Sequence, residues 1–155
     1  MQLHTVTELL PIANYRVSHI IKHSETSIGL VLQRIEDTPC ICSGCGKGHG
    51  TPVHGIDTVM VEALPISGKR VFLHVPKRKS ICLEDERIRT EELPWRRGRV
   101  TRRFADHDYR LTSIKTNTEA GWFLGLDDEK VYRIDKGMLE ELSLQRLQKI
   151  PAPAI

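Results

Sequence analysis

Apolar and polar residues alternate with a period of two in three stretches of the chain. Ile28, Leu30 and Leu32 share one face of "SIGLVLQRI", Val59, Val61 and Ala63 one face of "TVMVEAL", and Val71, Leu73 and Val75 one face of "RVFLHV". That period predicts strands buried on one side. "YRVSHII" precedes the first of them across the turn "HSETS", so the two predict a small hairpin. "PISGK" supplies Pro65, Ser67 and Gly68 for the turn of a second hairpin. "TVTELL" predicts a short helical start. Beyond "LPWRRGRVTRRF" the period becomes helical: Val100, Phe104, Leu111 and Ile114 fall on one face at spacings of four, seven and three. The fold class is α+β: an antiparallel β unit over 1–93, a helical unit over 94–150, and a tail at 151–155 where the prolines of "KIPAPAI" stop the last helix.

Residues 119–142, "EAGWFLGLDDEKVYRIDKGMLEEL", fit a helix-turn-helix template. Gly121 is the small residue where two helices cross. Gly125 suits a turn that needs positive φ, and Leu126 plugs the core behind it. Asp127 can cap the second helix. Val131 and Ile134 then fall at core spacing, with Met138 or Leu139 continuing the stripe. The plainer reading is an amphipathic hairpin packed for stability. The run Asp127-Asp128-Glu129 suits a cap and first turn, where the helix dipole favours acids, and not a metal pair. In a duplex-binding geometry the outward residues of the second helix are Lys130, Tyr132, Arg133 and Lys136. Arg133 would reach guanine and the lysines phosphate, while Asp128 and Glu129 oppose binding unless they face away.

Charge adds a partner class. The net charge is only +3, but residues 69–115 hold 14 Lys and Arg against 7 Asp and Glu, which points to a polyanion, or else to a solvated face. Arg96, Arg97, Arg99, Arg102 and Arg103 come ahead of the helices, and Arg97-Gly98-Arg99 suits a narrow minor groove. The alternative is a solvated linker. Lys77-Arg78-Lys79 offers further phosphate contacts. No stretch reaches membrane-span length and the N-terminus lacks a signal-peptide layout, so the expected location is cytoplasmic, with no membrane partner and no small-molecule substrate.

With only 5% aromatic residues, a small β unit needs a staple. "CICSGCGKG" supplies one half: Cys42 and Cys45 form a Cys-x-x-Cys-Gly knuckle, and tetrahedral zinc needs two more ligands. Cys40 lies close by. The second hairpin returns Cys82 to the level of the knuckle, the layout of a zinc ribbon. A thiol-redox role is disfavoured because no helix-forming run follows Cys45.

The order "CSGCG", "LPISGKRVFLHVPKRKSIC", "TRRF", "GLDDEKVYRIDKGMLEEL" resembles the N-terminal region of insertion-sequence transposases of the IS-L-three group, from about residue 9 to about 147. The resemblance implies a zinc ribbon and a helix-turn-helix ahead of a DDE catalytic domain. It also implies recognition of terminal inverted repeats in double-stranded DNA, with no catalytic residue in this chain. The family's second knuckle is Cys-x-x-Cys, which puts Asp85 where a cysteine is usual. The implied zinc ligands are therefore Cys42, Cys45 and Cys82 with Asp85, or with Cys40, His49 or His54 in the fourth place. A protein-interaction or homodimerisation module is the alternative function.

Overall fold

The computed structural model describes residues 3–10, 12–35 and 39–149, so the tail at 151–155 lies outside the described residues. The chain divides into two compact units, Met1–Thr101 and Arg102–Ile155.

The first unit is mostly sheet. A short helix α1 (Leu3–Leu9) leads into β1 (Tyr15–Lys22) and β2 (Ser27–Arg34). Two short strands, β3 (Cys40–Ile41) and β4 (Gly48–His49), pair with each other. Then come the long strands β5 (Val53–Ile66) and β6 (Lys69–Ile81), β7 (Ile88–Thr90), β8 (Arg96–Arg97) and β9 (Val100–Thr101). The main sheet runs β1-β2-β6-β5-β9-β8, with β7 also paired to β6. The β5–β6 turn is the residue pair Ser67 and Gly68, at φ 51° and 75°, the left-handed geometry that matches the twist of a two-residue hairpin.

The alternation read from the sequence decides which face is buried. Leu30, Val61, Val71, Leu73 and Val75 are wholly inaccessible, and Val6, Tyr15, Val17, Leu32, Ala63 and Leu93 complete the core. Each such aliphatic side chain contributes about 1.5–3 kcal/mol by leaving water. Helix α1 is tied to the sheet through Val6 in that core and through the Val17 amide, which donates to Thr7 Oγ1 at 3.0 Å. One expectation needs correcting. The unit is not purely antiparallel: β2 runs parallel to β6, Leu30 opposite Leu73, and β9 touches β5 in parallel at Glu62 and Val100. The first hairpin docks alongside β6 because the chain between them makes a long excursion through the cysteines and β5.

Residues 93–101 belong to this unit, past the boundary expected at 93/94. Leu93 is in the core and Trp95 packs against it, edge-on to Tyr15 at 5.9 Å. The segment then folds into a β8–β9 hairpin, Arg97 opposite Val100, turning at Gly98 with φ 58°. The Glu62 amide donates to Arg99 O at 2.8 Å and fastens it to β5. Composition suggested a linker there; buried Val100 and the backbone pairing make it sheet.

The second unit holds α2 (Arg102–Thr112), α3 (Asn117–Leu124) and α4 (Asp128–Gln148). Thr116 caps α3 in a reciprocal capping box with Glu119. Gly125 ends α3 in the left-handed conformation, φ 68° and ψ 33°, and Asp127 caps α4 by accepting from the Lys130 amide at 2.8 Å. Gly121 is obligatory at the crossing, since a Cβ there would stand 2.6 Å from Leu126 O and 3.4 Å from Val131 Cγ2. Val131 is buried and Ile134 and Met138 are half-buried, whereas Leu139 faces out, so Met138 continues the stripe. On α2 the buried face is Phe104, Ala105 and Asp108. Ile114, expected on that face, lies beyond the helix end and is 76% exposed.

Candidate metal centre and charged surfaces

Two backbone turns of the same design build the metal centre. In the first, the Gly46 amide donates to Cys42 O at 2.8 Å and the Cys42 amide to Lys47 O at 2.9 Å. In the second, the Glu86 amide donates to Cys82 O at 2.9 Å and the Cys82 amide to Arg87 O at 2.9 Å. Gly46 and Glu86 occupy the same left-handed place, at φ 72° and 57°. Position 85 in the second turn is thus the counterpart of Cys45 in the first. Asp85 has kept the turn and lost the thiolate.

Its carboxylate reaches the Cys82 side chain, but its main partner is Arg89. Asp85 accepts from the Arg87 amide at 3.1 Å and from Arg89 Nε and Nη2 at 2.9 and 2.5 Å. The Arg89 hydrogen bond, with the Arg87 amide behind it, holds the Asp85 carboxyl below its ordinary range. The fourth donor comes instead from β4. His49 is buried, and Cys42, Cys45, Cys82 and His49 present ligand atoms all within 4.8 Å of one another, Cys45 Sγ and His49 Nε2 being 3.0 Å apart. Of the four residues expected as possible fourth ligands, His49 is the one grouped with the three cysteines, and Asp85 lies outside that group. Cys40, the main alternative, is buried opposite His49 across β3–β4 but outside this group, and His54 is exposed on β5.

Three thiolates and one imidazole are a tetrahedral zinc donor set, and the closed arrangement is that of a structural site. The surroundings suit the excess negative charge of such a centre. The Cys45 amide and, behind it, the Gly44 amide, 3.3 Å from Cys42 Sγ, hold the Cys42 thiol below its ordinary pKa. Arg89 lies across the first turn, its Nε 3.1 Å from where a Gly44 Cβ would be. Lys47 pairs with Glu84, joining the two turns. Sequence reasoning missed Arg89 in this role; the spacing of four between Asp85 and Arg89 was the available signal.

A buried ion network fastens the centre to the sheet. Glu91, bridged to Cys42 through the backbone, accepts from Arg78 Nη2 at 2.8 Å and Arg34 Nη2 at 2.5 Å, and Arg34 also donates to Tyr15 Oη at 2.7 Å. Burial alone would raise the Glu91 pKa, but the Arg78 hydrogen bonds and the Arg34 charge bring it below the ordinary value. Arg78 is thus a buried structural partner, and Lys79 pairs with Asp57 at 2.7 Å. Of the cluster at 77–79, Arg78 is thereby taken up inside the sheet, which removes it from the expected phosphate contacts.

The remaining cations fall on several elements. Arg96 and Arg97 are half-buried on β8, and Arg99 is exposed in the hairpin turn. Arg102 and Arg103 are exposed on the first turn of α2, with Arg102 Nη1 3.1 Å from Glu141 Oε1. On α4, Tyr132, Arg133 and Lys136 are exposed and Lys130 is half-buried. The two acids that oppose phosphate are both engaged: Asp128 accepts from Thr118 Oγ1 at 2.7 Å, and Glu129 pairs with Arg133 at 2.5 Å. Among the described residues no helix is long and apolar enough to cross a membrane.

Comparison with known families matches residues 38–85 to the zinc-finger of transposase IS204/IS1001/IS1096/IS1165. That span covers both turns, His49 and the β5–β6 hairpin. No curated protein and no solved structure matches the chain. The family match and the Cys₃His group together fit zinc binding.

Proposed function

We propose that this chain is a DNA-recognition module working in transposition, with zinc as a structural staple and no catalytic residue of its own. The observation that carries the reading is the match of residues 38–85 to a transposase zinc finger. The three helices support it. Gly121, Gly125, Leu126, Asp127 and Val131 give α3 and α4 the tight crossing that a helix-turn-helix requires, and the N-terminal half of α4 is the recognition helix. Tyr132, Arg133 and Lys136 lie on its open side. The Arg133–Glu129 pair is no obstacle, because both partners are mostly solvated and such pairs hold little energy. Duplex DNA frees Arg133 for a base edge while Arg99, Arg102 and Arg103 contact phosphate. Strand transfer itself belongs to a catalytic domain outside these residues, and the DNA read would be the ends of a mobile element.

Fluorescence anisotropy on cognate and scrambled duplexes tests the assignment of roles. Arg133→Ala should narrow the gap between the two duplexes by a factor equivalent to about 1–3 kcal/mol. Arg99→Ala should weaken both alike. Equal behaviour of the two variants with wild type on both duplexes rejects the docking geometry.

A further inference from the structure

On the outer face of the sheet, away from the cysteines, the turn after β1 folds back so that His23 meets His74 of β6. Their Nε2 atoms stand 3.1 Å apart with the rings perpendicular, at 90°. His23 is held there by stacking on Phe72, centroids 5.8 Å apart. Beneath both rings runs Gly29 of β2, a buried glycine in the middle of a strand. A glycine there weakens a strand and often marks a close approach. A Cβ on Gly29 would stand 2.5 Å from His23 Nε2 and 2.8 Å from His74 Nε2, nearly equidistant from the two nitrogens. The missing side chain is what lets both imidazoles approach the strand and each other so closely.

The distances suit an ion. At the usual metal–nitrogen length of about 2.0–2.1 Å, two nitrogens 3.1 Å apart subtend about 100° at the metal, between a right angle and the tetrahedral angle. We propose that His23 and His74, over the bare backbone of Gly29, form a second metal site for a divalent transition ion of the kind imidazole favours, such as Zn²⁺. The remaining coordination positions open to solvent and can take water or an anionic group.

The test uses the full chain without a tag, already loaded at the cysteine site, titrated with Zn²⁺ by calorimetry. One further, weaker equivalent is expected. His23→Asn and His74→Asn should each weaken it by at least about tenfold, the loss typical of disturbed metal sites, with the cysteine-bound zinc retained by elemental analysis. Gly29→Ala should do the same by pushing the two rings out of position. His23 lies on an exposed turn, so its variant keeps the test valid if His74→Asn misfolds. The proposal is overturned if no further equivalent binds, or if His23→Asn binds it as wild type does, which would leave the pair as a simple hydrogen bond.

Discussion

Replacing His49 with Ala should lower zinc affinity by more than about 100-fold, and replacing Asp85 with Ala by only about 10–100-fold, the range for a residue that orients ligands. The order follows from geometry. His49 Nε2 stands with the three sulfurs in one group, whereas the Asp85 carboxylate is turned to Arg89 and the Arg87 amide. Removing His49 takes one of the four donors out of the group. Removing Asp85 leaves four donors in place but frees Arg89, whose guanidinium lies over the first turn. Competition with a chelator of known affinity measures both. The reverse order would make Asp85 the ligand. Zinc affinity is also folding energy here, so His49→Ala should depress the unfolding temperature of the β unit measured with zinc present. The core of Leu30, Val61, Val71, Leu73 and Val75 does not touch the metal group and should leave the main sheet formed.

The second large effect belongs to the helices. Asp108 is wholly inaccessible on α2, and neither carboxylate oxygen has a hydrogen-bond partner among the described residues. Burial, and then the nearby charge of Asp135, push its pKa from 3.8 up to about 7. Asp135 already accepts from Thr112 Oγ1 at 2.7 Å and offers no relief. Below about pH 4 the group is protonated in both folded and unfolded chains and contributes no difference. Between there and about 7 the folded chain holds a proton that the unfolded chain has lost, so stability falls as pH rises and then levels off. At ~1.4 kcal/mol per pH unit, the interval from 3.8 to about 7 sets a ceiling of about 4 kcal/mol. Asp108→Asn removes the charge at nearly constant shape. The difference in stability between variant and wild type, followed by helical circular dichroism, should grow from pH 4 to pH 7 in favour of Asn. A difference that is flat over that window would show Asp108 to be solvated or paired.

The parts of the fold that the sequence made legible are those set by neighbours in the chain. Alternation marked β2, β5 and β6, and Ser67-Gly68 marked their turn. Gly121, Gly125 and Asp127 marked the α3–α4 crossing, because each is demanded by local geometry. What stayed hidden depends on distant partners. The parallel docking of β2 on β6 joins segments separated by the whole cysteine excursion. The β8–β9 hairpin is written in "RRGRVT", whose charge disguises a strand pair held by Val100 and Glu62. The zinc group was half legible. Cysteine spacing gave three of the candidate ligands, and what favours His49 over Asp85 for the fourth is that Arg89 competes for the carboxylate. Asp108 could not be foreseen, since a charged residue on a helix is ordinarily placed on its wet face.

The most direct test of the whole reading is the affinity of the zinc-loaded chain for duplex DNA across a range of salt concentrations. Recognition through Arg99, Arg102, Arg103 and the cations of α4 predicts tight binding at low salt that weakens steeply and log-linearly as salt rises, since each phosphate contact releases counterions. No binding at low salt, or binding indifferent to salt, would contradict a role in holding DNA.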